Sequence, residues 1–349
     1  MGLNLPSRIN EMETRKIKLD GKDKRILNLV FDHGRRPLHE IAKHVSLSKD
    51  TVRYRLQKMR EKWFIHKYYA EINFSKLGYF EYLLALVVNK QDEQKVQSLI
   101  TQLSKHPHVK RVLEFSEKWD LEILIIARSI TEFDQISNDI TKGFEEIIME
   151  KDRIATIKVF QSYLMPDIFL EDRAPYLLPR EQTTIRLDNL DYSILAVLSE
   201  KGRYSTYKIA QILKISHDTV NNRIKKMCSE GVIDAFHIEM NFSMLNYHWY
   251  SVPFDVMSFG EKEELAVQEI VRKNRNILSA KKTLGQYNFR INVLAPSVME
   301  LYKIIQDIKN TFMGRIKSHQ IWIVIKEHYH STLPHALLEN AQVNFPEIP

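Results

Sequence analysis

One cysteine, Cys228, in 349 residues excludes an intrachain disulfide framework and any zinc site built on several thiolates. Its expected place is a small, buried position on a helix, in a reducing cytoplasm. Glycine is scarce too, at 10 residues, with neither a phosphate-cradling glycine loop nor a nucleophile elbow. No apolar run approaches the roughly 18–20 residues of a membrane-spanning helix. The first residues lack the charged, apolar, small-residue order of a secretory signal. These absences lead us to expect a cytoplasmic chain with no membrane partner, no metal and no cofactor.

What is present is a duplication. Residues 20–166 and 188–334 align at an offset of 168 without a gap, as in Asp20/Asp188, Gly34/Gly202, Asp50-Thr51-Val52/Asp218-Thr219-Val220, Asn73-Phe74-Ser75/Asn241-Phe242-Ser243 and Pro166/Pro334. About 22 of the first 60 paired positions are identical, and the period is too long for a solenoid. The copies differ in charge. Residues 20–79 carry 14 basic and 7 acidic side chains, a net of +7, whereas 188–247 carry 7 of each. The formal charge of the whole chain, +7 with pI near 9.1, can thus be assigned to one segment, and it favours an acidic partner.

Each copy divides in two. In the first part, apolar spacing marks helices over Asp23–Phe31 and Leu38–Val45. Ser48 then caps a third helix to about Lys62, with Val52, Leu56 and Met59 as its buried stripe. Phe64 to Phe74 reads as a pair of short strands, completing a winged helix-turn-helix. Copy two repeats this through Ser216–Glu230 and Val232–Phe242. The second part alternates strand and helix in the order βαββαβ, the ferredoxin-like split unit. The expected class is α+β, with two winged helix-turn-helix domains alternating with two ferredoxin-like domains. Expected boundaries are a basic leader at 1–19, a first winged domain at 20–79 and a first ferredoxin-like domain at 80–161. A proline-bearing linker at 162–187 follows, then a second winged domain at 188–247, a second ferredoxin-like domain at 248–334 and a mobile tail at 335–349.

The run Leu47-Ser48-Lys49-Asp50-Thr51-Val52-Arg53-Tyr54-Arg55-Leu56-Gln57-Lys58-Met59 resembles the second half of the helix-turn-helix in the Lrp/AsnC (feast/famine) regulators. So does Ile215-Ser216-His217-Asp218-Thr219-Val220-Asn221-Asn222-Arg223-Ile224-Lys225-Lys226-Met227, and the βαββαβ part matches that family's effector and assembly domain. The resemblance covers both copies and implies a sequence-specific, non-enzymatic transcription regulator that binds double-stranded DNA and self-associates through its ferredoxin-like domains. Independently, a recognition helix needs an apolar face for its own core and polar side chains on the other. Residues 48–62 hold six basic and two acidic side chains, a net of +4, against +1 for 216–230. The expected DNA contacts are Ser48, Lys49, Thr51, Arg53, Tyr54, Arg55 and Lys58. In copy two they are His217, Thr219, Asn221, Asn222, Arg223 and Lys226. Competing readings exist: Asp50 and Asp218 can simply complement a helix N-terminus. Tyr54 can be a packed rim aromatic, and Arg55 and Arg223 can pair within the molecule rather than with phosphate.

The resembled family carries a Gly-x-aromatic-Asp turn where small effectors, commonly amino acids, bind. Copy two shows Gly285-Gln286-Tyr287-Asn288 and copy one Glu117-Lys118-Trp119-Asp120, so neither keeps the whole pattern. Gly285, Tyr287, Asn288, Trp119 and Asp120 are the expected effector contacts, against the alternative that these turns only shape a hairpin. His328-x-His330 lacks further ligands for a metal. A rival reading is a sirohaem decarboxylase-like tetrapyrrole enzyme, since those enzymes resemble this architecture. They carry a His-x-Tyr stretch where this chain reads Leu278-Ser279-Ala280-Lys281-Lys282. A co-regulator subunit whose heads do not bind DNA is a third.

Overall fold

The computed structural model of the chain describes residues 16–162 and 183–348. The expected leader and linker therefore lie largely outside the described residues. Copy one begins with α1 (Gly21–Asp32), α2 (Leu38–Val45) and α3 (Lys49–Glu61). Asp20 caps α1 by accepting from Asp23 N–H, while the Asp23 carboxylate accepts from Asp20 N–H, which satisfies two otherwise orphaned donors. The turn between α2 and α3 closes through Ser46 in the left-handed region, φ 52°, and Ser48 then caps α3. Strand β1 (Ile65–Ile72) follows, with a 3-10 turn at Phe74–Leu77. The ferredoxin-like part runs β2 (Phe80–Val88), α4 (Glu93–Lys105), β3 (Val109–Phe115), β4 (Leu121–Ala127), α5 (Ile130–Thr141) and β5 (Ile148–Ser162).

Copy two repeats the order with α6 (Asn189–Glu200), α7 (Thr206–Leu213), α8 (His217–Ser229) and β6 (Ile233–Met240). Its second part runs β7 (His248–Val256), α9 (Glu261–Lys273), β8 (Ile277–Leu284), β9 (Phe289–Ala295) and α10 (Val298–Thr311). The final strand is split into β10 (Ile316–His319) and β11 (Trp322–His330), both lying on β7. The split falls where Gln320 N–H donates to Pro253 O at 3.1 Å; a proline has no N–H with which to return that bond. In copy one the matching partners are Ala85 and Asp152, and β5 runs unbroken.

Two sequence expectations need correcting. The wing of each head is one strand, not a pair. β1 finds its partner in β6, antiparallel from Ile65↔Met240 to Ile72↔Ile233, so each copy satisfies the other's backbone groups. The expected mobile tail instead contains α11 (His335–Asn340), which buries Ala336, Leu337 and Leu338; Asn340 Nδ2 donates to Tyr79 Oη at 2.8 Å.

The described chain sorts into two compact units, each made from both copies. One holds 17–80, 183–241 and 330–348, the two heads. The other holds 81–162 and 242–329. Within the latter, strand neighbours run β7-β11-β3-β4-β2-β5-β8-β9, and β9 pairs back onto β7. The two ferredoxin-like sheets thus close into a ring, with β10 at the end of the order on β7. One face of the strands packs under the helices of its own copy: Leu84, Leu86, Ile123 and Ile125 with α4 and α5, and Val252, Phe254, Ile291 and Val293 with α9 and α10. The other face fills the ring with Phe115, Trp119, Trp249, Tyr287 and Trp322. Among the described residues no helix is long and apolar enough to cross a membrane.

Candidate nucleic-acid interface and effector turns

The third helix of each head is held from within and left open without. On α3, Val52, Leu56 and Met59 are buried, and Ser48 Oγ accepts from Thr51 N–H at 3.0 Å and meets Thr51 Oγ1 at 2.8 Å. Lys49, Arg53, Tyr54 and Lys58 are exposed. Arg53 ion-pairs with the exposed Asp50 one turn back, and Lys58 Nζ lies 5.9 Å from the centre of the Tyr54 ring. Tyr54 keeps 62% of its surface, so it is not a packed rim residue. On α8, Ser216 caps Thr219 N–H at 3.1 Å, Asn222 and Lys226 are exposed, and Asn221 is half-buried.

Arg55 and Arg223 take up the internal pairing that the sequence left open beside phosphate contact. Arg55 Nη1 reaches Asp20 at 2.7 Å and Asp23 at 2.6 Å, and Arg223 repeats this with Asp188 at 2.5 Å and Asp191 at 3.1 Å. The guanidinium is spent on the capping box of the first helix, which locks the third helix to it. The side-chain hydrogen bond from Arg55 is the main cause that lowers the Asp20 carboxyl from its ordinary value. Burial opposes ionisation of Asp188, but hydrogen bonds from the Asp191 N–H and Arg223 overcome it and lower that carboxyl as well. Arg55→Met should cost about 1 kcal/mol, since Asp20 is half exposed and water screens the pair. Thermal melting at neutral pH measures this loss, and an unchanged midpoint would contradict the clamp. The signal was in the sequence, as Asp-x-x-Asp and an arginine 35 residues on occur in both copies.

Sequence reasoning missed Tyr207. It is 65% exposed on α7 and stacks on His217 at 4.3 Å between ring centres, a pair without a counterpart in copy one, which has His39 and Lys49 at those positions. Cys228 is exposed rather than buried, because it follows Met227 round the helix and off the apolar stripe. His328 Nε2 lies 2.8 Å from Glu114, while His330, in the unit that holds the heads, lies 3.5 Å from Glu239. Among the described residues no group of side chains could hold a metal ion.

The effector turns are tied to their own sheets. Asp120 Oδ2 accepts from Val88 N–H at 2.8 Å and Oδ1 pairs with Lys90 at 2.8 Å. Asn288, its counterpart, accepts from Val256 N–H at 2.9 Å and donates to Val256 O at 2.7 Å. Trp119 and Tyr287 are buried in the core of the ring. Gly285 has φ 154°, and a side chain there would meet Ile154 Cγ1 at 3.3 Å. The structure therefore brings all five residues to the two hairpin ends and gives each a role within the fold.

Two capped, outward-facing third helices in one body, on a chain that also folds a duplicated ferredoxin-like ring, define a class of paired winged helix-turn-helix proteins. A family model described as an AsnC-type helix-turn-helix domain matches residues 19–60, and one described as winged helix-turn-helix DNA-binding matches 187–234. The HTH-type transcriptional regulator FL11 of Pyrococcus horikoshii is 31% identical over 117 residues, covering 34% of this chain and 76% of FL11. An uncharacterized HTH-type transcriptional regulator of Pyrococcus furiosus is 23% identical over 146 residues, 42% of this chain and 97% of its own length. The crystal structure of the sirohaem decarboxylase NirDL has the same fold, with TM-score 0.60 and 11% identity over 93% of this chain and 96% of that one. The chain belongs to the Lrp/AsnC family of helix-turn-helix transcriptional regulators, in tandem-duplicated form.

Proposed function

We propose that this regulator reads double-stranded DNA sequence-specifically by laying α3 and α8 in the major groove, with copy one as the anchor. The observation that carries this is the exposed cationic sector Lys49, Arg53 and Lys58 on a helix whose apolar stripe is wholly buried. Phosphates can displace the Asp50 carboxylate from Arg53, because that pair is open to water and contributes little by itself. Ser48, Thr51 and Tyr54 complete the copy-one surface. Copy two offers His217, Thr219, Asn221, Asn222 and Lys226, a surface suited to adenine rather than phosphate. Unequal heads call for an asymmetric site whose halves lie about one helical turn, or a multiple of it, apart.

Selection of bound duplexes from a random pool tests this directly. On the selected duplex, Arg53→Ala with Lys58→Ala should weaken binding and reduce the log–log salt slope by about 1.8, the release of two counterions. Asn222→Ala with Lys226→Ala should reduce it by about half as much. Equal effects, or no enriched sequence, would count against the reading. A tetrapyrrole enzyme on the same fold remains measurable in the same preparation, as a chromophore that co-purifies. The Leu278–Lys282 segment offers no imidazole for such chemistry.

An effector such as an amino acid at Gly285, Tyr287 and Asn288, or at Trp119 and Asp120, has to compete with the contacts just described. Calorimetric titration with the amino acids checks whether any does so, and heats no larger than dilution for all of them would end that part of the reading.

A further inference from the structure

Two residues in the ring touch their own counterparts. Glu122 on β4 and Arg290 on β9 occupy the same position in the two copies, 168 residues apart, and they form an ion pair in the interior. Arg290 is 4% exposed and Glu122 6%. Arg290 Nε also donates to Ser251 Oγ at 2.5 Å, and its guanidinium lies 5.2 Å from the centre of the Trp322 ring. Lys118 and Gln286, again 168 apart, meet at 2.9 Å. A residue that contacts its own equivalent sits on the pseudo-two-fold axis relating the copies. There, pairing of like with like sets each side chain against itself. Two copies one would bury Glu122 against Glu122 and face Lys118 with Lys118, and two copies two would bury Arg290 against Arg290. A buried pair of like charges cannot keep both ionised without a large penalty.

The contact between the heads is symmetric in part. Gly34 N–H donates to Phe236 O at 2.8 Å and Gly202 N–H to Tyr68 O at 2.6 Å. Arg35 lies over the Phe236 ring and Arg203 over the Tyr68 ring, each at 5.2 Å. Those partners are of the same type in both copies, but Lys67 also bonds Glu200 at 2.7 Å where the matching positions are Ala235 and Asp32, and Tyr69 faces its own counterpart His237. What the ring adds is a pair of opposite charges buried on the axis itself.

We propose that Glu122 and Arg290 make the ring accept only unlike copies, so that copy one selects copy two and rejects a second copy one. Oppositely signed residues on the axis reward the unlike pair and penalise both like pairs, and specificity arises from that difference. The chain therefore completes its ring by itself, and a neighbouring chain can enter only by exchanging complementary copies.

Full-length variants test this. Glu122→Arg leaves two arginines on the axis and Arg290→Glu two glutamates. Each should lower the melting midpoint by about 10 °C. The exchanged double variant, Glu122→Arg with Arg290→Glu, should return to within about 3 °C of the unaltered chain. The two single variants, unfolded and refolded together in equal amounts, should regain the unaltered midpoint, because copy one of each then meets an oppositely charged copy two of the other. Native mass spectrometry should show the two chains in one species. Single variants that melt like the unaltered chain would overturn the proposal. So would a double variant as weak as the singles, or a mixture that keeps the two low transitions.

Discussion

Gly202→Val should detach the two heads from each other. The glycine is required for room rather than for a left-handed backbone: a Cβ built there would stand 2.7 Å from Tyr69 N and 2.8 Å from Tyr69 Cα. Those are main-chain atoms of β1 and cannot rotate aside, so the strand has to move or the glycine segment has to leave. Gly34 has the matching problem, with Phe236 O at 2.6 Å. Overpacking of this kind costs about 1–3 kcal/mol where side chains can yield, and backbone contact puts it at the upper end. The loss also removes the hydrogen bond from Gly202 N–H to Tyr68 O. On the proposed reading a duplex bearing both half-sites should lose on the order of 100-fold in affinity, because the second head no longer binds at a high effective concentration. A duplex with only the copy-one half-site should bind as before. Unchanged melting with unchanged two-site affinity would refute the close approach.

The second large effect lies in the ring. Glu81, at the start of β2, accepts from Lys110 Nζ at 2.8 Å and from Lys281 Nζ at 2.9 Å, and so ties β3 of one copy to β8 of the other. Burial pushes the Glu81 carboxyl up, but the two ammonium groups outweigh it and hold the carboxyl well below the usual carboxylate range. Glu81→Leu removes the carboxylate that the two lysines share, with only 10% and 14% of their side chains exposed. A loss of roughly 3–5 kcal/mol follows from breaking such a pair on one side. The pH dependence has a definite sign. A carboxylate lowered on folding contributes fully above its unfolded pKa, near 4.5, and loses that contribution as pH falls towards the folded value. The unaltered protein should therefore lose stability on acidification below about pH 5, and the Glu81→Leu variant should show a flatter curve over that range. Parallel denaturation curves for both proteins between neutral pH and about pH 3 would contradict the assignment.

Much of each copy could be read directly, because the signals are local. Val52, Leu56 and Met59 mark the inner face of α3, Ser48 and Ser216 mark where the third helices begin, and the alternation of elements gives βαββαβ. The unreadable parts depend on the other copy. Nothing in Ile65–Ile72 says that its partner is Met240–Ile233 rather than a neighbouring strand, since a strand carries its face pattern but not its partner's address. Glu122 reads as a polar position in an apolar strand until Arg290 is seen beside it. Arg55 offered two readings, phosphate contact or an internal pair, and the Asp-x-x-Asp with an arginine 35 residues on in both copies was the signal for the second. The final helix escaped notice for a simpler reason. It lies beyond the repeat, so no second copy drew attention to Ala336, Leu337 and Leu338.

The head ribbon has one strand from each copy, and the ring alternates contributions from both at two seams, β11 with β3 and β5 with β8. Each half of the molecule is thus the other's scaffold. Damage that unravels one half exposes raw strand edges on its twin, so the two ancestral units now share a single fate in degradation and in folding.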